Sequence, residues 1–398
     1  MRHVPVVKGA VTPGPALYLI AGEPSGDRLG AALMAGLRDL APGVTFHGVG
    51  GPLMAAQGLV SQFPMQDLTV MGIAEVLPRY FALKRRITEC AAAVLALKPA
   101  ALITIDSPDF CLRVAALVKA AAPVRTIHYV APSVWAWRPG RAAKMAKVID
   151  YVLALLPFEP PYMTAAGMGC SFVGHPVVAE PQATGAEALA FRAAHGITPD
   201  QPLILALPGS RQGEVARLAP RFGATLALVA QRHPTLRVVV PTLETLRPQV
   251  AAAIADWPGN PVLLAAPDPK TKAAAFAAAS AALAASGTVS LELAASATPM
   301  VIGYDMAWAS RQIIGRLLKV NTVTLVNLVS DTRAIPEFLG PACQPDAMAA
   351  ALLALMTPGP ARTVQLDAMA LTMDRLGRGG EAPGLRAARA VLASLATS

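Results

Sequence analysis

At 398 residues the chain exceeds one ordinary hydrophobic core, so two domains are the expectation. Hydrophobic residues make up 54% and charged residues only 15%, against roughly 25% charged in a typical soluble protein, yet no apolar run reaches the roughly 20 residues that a membrane span needs. The net charge of +9 asks for an acidic partner; the basic residues are scattered and aromatics are 5%, which favours anionic lipid or a phosphorylated small molecule over nucleic acid.

Met1–Pro15 carries charge but no apolar core, so it does not read as a secretion signal. Cys90, Cys111, Cys170 and Cys343 are scattered without metal-ligand spacing and suit a reducing compartment. A cytoplasmic location with no bound metal is therefore expected.

The first strand is expected at Ala16–Ala21, followed by the turn Gly22-Glu23-Pro24-Ser25-Gly26-Asp27 and a helix over Leu29–Leu40. Strand, glycine-bearing turn and helix open a doubly wound α/β domain, although the turn lacks the dinucleotide spacing. Glu23 and Asp27 make it acidic, suited either to sugar hydroxyls or to capping the helix start. Val44–Val49 is the next strand. Then Val70-Met71-Gly72-Ile73-Ala74-Glu75-Val76-Leu77-Pro78-Arg79-Tyr80-Phe81-Ala82-Leu83-Lys84-Arg85-Arg86 departs from the pattern. Pro78 suits a helix start, with the helix running to about Leu97. Its apolar residues fit a core helix; equally, Val70, Met71, Ile73, Val76, Leu77, Tyr80 and Phe81 could enter lipid while Arg85 and Arg86 meet head groups.

Ala101–Ile105 is a strand that ends in Asp106-Ser107-Pro108-Asp109-Phe110. An aspartate at the carboxyl end of a parallel strand lies where open α/β sheets bind ligands, and it can take a proton from a hydroxyl or cap the next helix. Thr126–Val130 leads into Ala131-Pro132-Ser133-Val134-Trp135-Ala136-Trp137-Arg138, a loop with two of the four tryptophans. His128 within the strand fits a core residue. Val152–Leu156 closes this half, and Ala179–Glu187 reads as an interdomain linker.

The alternation then repeats, with strands at Leu203–Leu207, Val238–Val240, Val262–Leu264, Ala282–Ala285 and Met300–Gly303. Leu207-Pro208-Gly209-Ser210-Arg211-Gln212-Gly213-Glu214 joins the first of these to a helix reaching about Arg232. In it Gly209 and Ser210 offer backbone N–H groups at a helix start, and Arg211 adds a fork for two phosphate oxygens. The alternative is an ordinary turn with a solvated arginine. A second small-residue turn, Ser286-Gly287-Thr288, precedes a helix whose Glu292 can accept from a ribose hydroxyl pair. Two such turns at one sheet edge make a nucleotide diphosphate the economical ligand.

The motifs Ala21–Asp27, Val70–Ile73, Ile105–Phe110, His128–Arg138, Phe172–Pro176, Leu207–Arg211, Ser286–Thr288 and Asn327-Leu328 run nearly end to end. In this order and spacing the chain resembles the lipid-A-disaccharide synthases, inverting glycosyltransferases of the GT-B architecture. The resemblance implies an α/β fold of two Rossmann-like, doubly wound parallel-sheet domains. Residues 1–180 would form an acceptor- and membrane-facing domain and 181–360 a UDP-sugar domain, with helices in 361–398 crossing back or swapped in a homodimer.

It further implies transfer from UDP-2,3-diacylglucosamine to 2,3-diacylglucosamine 1-phosphate, giving a β-1',6-linked disaccharide phosphate and UDP. Asp106 would be the general base, with Glu23 beside it. Arg211, Gly209, Ser210, Ser286, Gly287, Thr288 and Glu292 would hold UDP, with Asn327 nearby. No cofactor or metal is implied. Val70–Arg86 would face the cytoplasmic side of an anionic membrane, as acylated glucosamine phospholipid substrates require. The chain departs from the family at Val326, where proline is usual, at Ser280-Ala281, where an aspartate is common, and at Ser107, where alanine is usual. Two rivals are another GT-B enzyme acting on a UDP-sugar, which would not need the apolar 70–81 segment, and a non-catalytic binder, which would not need both Asp106 and Arg211.

Overall fold

The computed structural model describes residues 14–68, 76–135, 140–305 and 321–397, with only the backbone for 76–80. The chain forms two compact units. One comprises the described residues up to Pro176 together with those from Gly380 onward; the other is Val177–Gly379.

The first unit alternates β1 (Ala16–Ala21), α1 (Pro24–Leu40), β2 (Thr45–Val49), α2 (Pro52–Ala56) and β3 (Val60–Ser61). It continues with α3 (Val76–Leu97), β4 (Ala101–Ile105), α4 (Pro108–Ala121), β5 (Arg125–Tyr129), α5 (Gly140–Met145), β6 (Tyr151–Ala154), α6 (Pro160–Thr164) and β7 (Gly169–Phe172). The strands form one parallel sheet in the order β3-β2-β1-β4-β5-β6-β7. The chain therefore steps outward from β1, returns to lay β4 beside it, and steps outward the other way. That reversal opens a crevice beyond the carboxyl ends of β1 and β4, where such sheets bind ligands. In register, Ala21 faces Ile105, so the loops carrying Glu23 and Asp106 leave adjacent strands at one edge.

The central strands are largely apolar because both faces are covered. One face packs Leu17, Leu19 and Ile103 against Leu33 and Leu37 of α1 and against Ala387 and Val391 of the helix Pro383–Ala396. The other packs Tyr18, Ile20 and Leu102 against α3 and α4 through Cys90, Val94 and Val114.

The second unit begins with α7 (Gly185–Ala194), β8 (Leu203–Leu207), α8 (Gln212–Arg232), β9 (Arg237–Thr242), α9 (Arg247–Ile254) and β10 (Val262–Ala265). It continues with α10 (Pro269–Ala278), β11 (Ala281–Ala284), α11 (Val289–Ala295), β12 (Met300–Tyr304) and β13 (Glu337–Leu339), and its last helix is Pro360–Arg375. The sheet is again parallel, ordered β10-β9-β8-β11-β12-β13, with its reversal between β8 and β11 and Leu207 opposite Ala284. Val215, Leu218 and Phe222 of α8 seal one face against Ile204, Val238 and Leu283.

The expected strands are present within a residue or two. β3, β7 and β13 were not expected, since they are short and β7 contains Gly, Cys and Ser. Gly169 is required there because a Cβ would approach the Tyr151 ring to 2.4 Å. The linker expected over Ala179–Glu187 is corrected at its end. Thr184 accepts from the Glu187 N–H while Glu187 accepts from the Thr184 N–H, a capping box that starts α7.

Candidate active site

At the β1–β4 crevice, Glu23 is exposed at the N-cap of α1, and no hydrogen bond from its side chain caps that helix. Asp27 behaves differently. It is buried, and its carboxylate accepts from the N–H groups of Gly51, Leu53 and Met54 at 2.9–3.0 Å. The expected capping role is real, but the capped helix is α2 rather than its own. That leaves Glu23, not Asp27, as the exposed acidic group of this turn.

Asp106 is half-buried at the end of β4, with φ of +53°, followed by Ser107 at +45°. Across the sheet, Val130 at the end of β5 has φ of +86°. Left-handed backbone costs a non-glycine residue about 1–3 kcal/mol and tends to persist at sites where geometry matters. Asp106 N–H donates to Tyr129 O at 3.0 Å and Val130 N–H to Leu153 O at 3.0 Å, so the three strand ends are tied in series. A Cβ at Gly22 would lie 2.6 Å from Ser107 Oγ, which shows how closely the two loops approach. His128 is buried, within 2.7 Å of Thr104 Oγ1, and burial lowers its pKa to about 4. It is a core residue, as expected.

Sequence reasoning did not find Glu159, which follows β6. It is 4% exposed and accepts from Leu156 N–H at 3.0 Å and from Trp135 Nε1 at 3.4 Å. Trp137 and Arg138 lie outside the described residues.

At the β8–β11 crevice, Gly209 has φ of +125°, and a Cβ there would meet Glu214 at 2.5 Å. Glu214 is buried, and it accepts from Ser210 N–H at 3.0 Å and pairs with Arg211 at 2.8 Å. The Ser210 donor expected to face an anion is thus occupied by the protein's own carboxylate. The signal lay four residues on, in the glutamate of the same stretch. Arg211 has a side chain 79% exposed and is positioned to reach outward. Nearby, Arg217 Nε donates to Asp305 O at 3.4 Å, and Arg221 bridges Asp305 and the Cys343 carbonyl.

Ser286, Gly287 and Thr288 form the turn between β11 and α11, and a Cβ at Gly287 would meet open space. Glu292 is paired with Lys272 of α10. Asn327 is fully buried: Nδ2 donates to Ile335 O at 2.9 Å and Thr322 Oγ1 at 3.2 Å, while Oδ1 accepts from Ile335 N–H at 2.9 Å. The side chain expected near UDP therefore ties the helix Leu325–Ser330 to Thr322 and Ile335.

In α3, Phe81 is 70% exposed. Arg85 pairs with Glu89, whereas Arg86 binds Asp67 and Glu89 and stacks on Phe63 at 4.2 Å. Val70, Met71 and Ile73 lie outside the described residues, as do the side chains of Val76, Leu77 and Tyr80. No helix among the described residues is long and apolar enough to cross a membrane.

The family model for lipid-A-disaccharide synthetase matches residues 17–378. The chain belongs to the lipid-A-disaccharide synthase family. It is 62% identical over 385 residues to the lipid-A-disaccharide synthase of Ruegeria pomeroyi, covering 94% of each chain, and 50% identical over 378 residues to that of Rhodospirillum centenum, again covering 94% of each. Among solved structures it resembles the UDP-GlcNAc 2-epimerase of Neisseria meningitidis bound to UDP-GlcNAc (TM-score 0.63, 10% identity, 96% and 100% of the two chains). It also resembles Acinetobacter baumannii MurG (TM-score 0.56, 15% identity, 97% and 100%). At these identities the likeness is one of fold, and the family's two-sheet GT-B architecture is the one this chain has.

Proposed function

We propose that the chain joins UDP-2,3-diacylglucosamine to 2,3-diacylglucosamine 1-phosphate, forming the lipid A disaccharide 1-phosphate and UDP. Family membership supports glycosyl transfer in lipid A synthesis. The observation that carries the assignment of roles is the carboxylate of Asp106, set on a left-handed turn at the switch point of the first sheet. Asp106 takes the proton of the acceptor 6-hydroxyl as that oxygen attacks the donor's anomeric carbon. The new carbon–oxygen bond forms opposite the one to the diphosphate, which breaks and leaves with its electrons as UDP, so the configuration inverts. Glu23 accepts from a sugar hydroxyl beside the base.

In the second unit Arg211 turns from Glu214 to the diphosphate oxygens and meets the charge that grows on the leaving group, an interaction worth most in the transition state. Glu214 keeps the Gly209–Ser210 turn in shape meanwhile. Ser286–Thr288 let the backbone approach the nucleotide, and Glu292, oriented by Lys272, accepts from the ribose. Asn327 acts one step removed, through the 322–335 segment it braces. Phe81 and Arg85 are suited to an anionic membrane surface on the cytoplasmic side, where acylated substrates reside.

The test is Asp106→Asn in the full chain, assayed for disaccharide and for UDP binding. Loss of roughly two to four orders of magnitude in kcat with UDP affinity unchanged is the expected result for a general base. Wild-type turnover in the variant would remove Asp106 from that role.

A further inference from the structure

The first unit holds a buried carboxylate that the reaction as described does not use. Glu159 sits in the loop after β6, one strand beyond the Val130–Trp135 segment and two beyond Asp106. Trp135 is 9% exposed, and its ring meets Phe158 edge-on at 5.2 Å and 86°. Its indole N–H can only donate, and the acceptor it finds is Glu159 Oε1, while Oε2 takes the Leu156 N–H. One side chain therefore fastens the far end of a segment whose near end is the strained Val130. That near end is also where Tyr129 O receives the Asp106 N–H.

We propose that Glu159 is a positioning residue for glycosyl transfer: its carboxylate clasps Trp135, holds the left-handed backbone after β5 in place, and so fixes the turn that presents Asp106. The proposal rests on Asp106 being the base. Slack at Trp135 lets Val130 relax toward an unstrained φ, which moves the Tyr129 carbonyl and with it the Asp106 backbone. Because the clasp lies in the first unit, it acts on the chemical step and leaves donor binding in the second unit alone.

The clasp is also sensitive to protonation. The ionised carboxylate accepts from both N–H groups; a proton on one oxygen removes the charge and leaves that oxygen a weaker acceptor carrying a donor of its own. Burial pushes the Glu159 carboxyl up to about 7, with the Leu156, Trp135 and Leu155 N–H groups opposing. The titratable group facing it is the Cys170 thiol of β7, which burial and Glu159 push up to about 12, so it stays neutral through this range.

The experiment compares wild type, Glu159→Gln, Trp135→Phe and the double variant between about pH 5.5 and 8.5, by disaccharide formation and by intrinsic tryptophan fluorescence. At the alkaline end each single variant is expected to lose roughly ten- to a hundredfold in kcat, the scale of one hydrogen bond to a charged group. Donor KM stays within twofold or so, and the double variant is no worse than either single one. Wild type shows an acid limb and a fluorescence transition near neutrality that both variants lack. Losses that multiply, or a Glu159→Gln enzyme that keeps the wild-type limb and transition, would overturn the clasp. Trp135→Phe keeps the ring against Phe158, so it decides the matter if Glu159→Gln fails to fold. If Asp106→Asn proves fully active, the base assignment falls instead, and the fluorescence transition still reports whether Glu159 and Trp135 are coupled.

Discussion

Two carboxylates of similar sequence context serve different ends because of what surrounds them. Asp27 is enclosed by three backbone donors at the start of α2, whereas Asp106 stands half-buried on a turn whose own backbone is strained. Removing the first should cost stability and removing the second activity. Asp27→Ala leaves three N–H groups at a helix start without their acceptor, and a loss of about 3 kcal/mol is expected from capping and charged hydrogen bonds together. Urea unfolding of the variant beside Asp109→Ala, an exposed carboxylate in the first turn of α4, gives the comparison. A change for Asp27→Ala no larger than for Asp109→Ala would mean that the α2 cap is not what Asp27 supplies.

At the scale of elements, the helix Pro383–Ala396 completes a core that the first half of the chain leaves open. Ala387, Ala388 and Val391 bury against the β1–β4 face, and Arg386 donates to Phe172 O at 3.0 Å. The approach to α1 is set by glycine: a Cβ at Gly384 would lie 2.5 Å from Ala32 O, and one at Gly36 2.8 Å from Gly384 O. Gly384→Ala must therefore push two helices apart, at an expected cost of about 1–3 kcal/mol. UDP affinity, assigned to the second unit in the proposed function, should be unchanged; a variant as stable as wild type would show that the helix pair tolerates the shift. The sequence pattern marks a helix over Leu385–Leu395, two residues short of its structural start, and the long central strands were legible too, because periodicity and apolar runs are local signals. Asp106 and the Gly209–Arg211 turn were legible for the same reason, each lying at a strand end. What sequence did not show are pairings between elements. Lys272 on Glu292 and Glu159 on Trp135 depend on which strands end side by side, and no local pattern encodes that.

Across the whole molecule, the first unit carries buried titratable groups of opposite sign, and their balance sets how its stability follows pH. Burial lowers His128 and His175 from 6.5 to about 4, so between those values the unfolded chain binds protons that the folded one does not. Stability gained from these two is full above about 6.5 and is lost as pH falls. Glu159 works the other way: raised from 4.5 to about 7, it holds its proton when folded and releases it when unfolded, so its contribution is lost as pH rises through that range. Where the windows overlap, two protons favour stability at higher pH and one opposes it. The net slope is roughly 1.4 kcal/mol per pH unit, since each proton contributes about that much. Glu159→Gln removes the opposing proton, so the slope between about pH 5 and 6 should approach roughly 2.7 kcal/mol per unit. Chemical unfolding of the two proteins at those two pH values measures it. Equal slopes would mean that Glu159 is already ionised in the folded protein at pH 5, and the acid limb assigned to its clasp on Trp135 would fall with it.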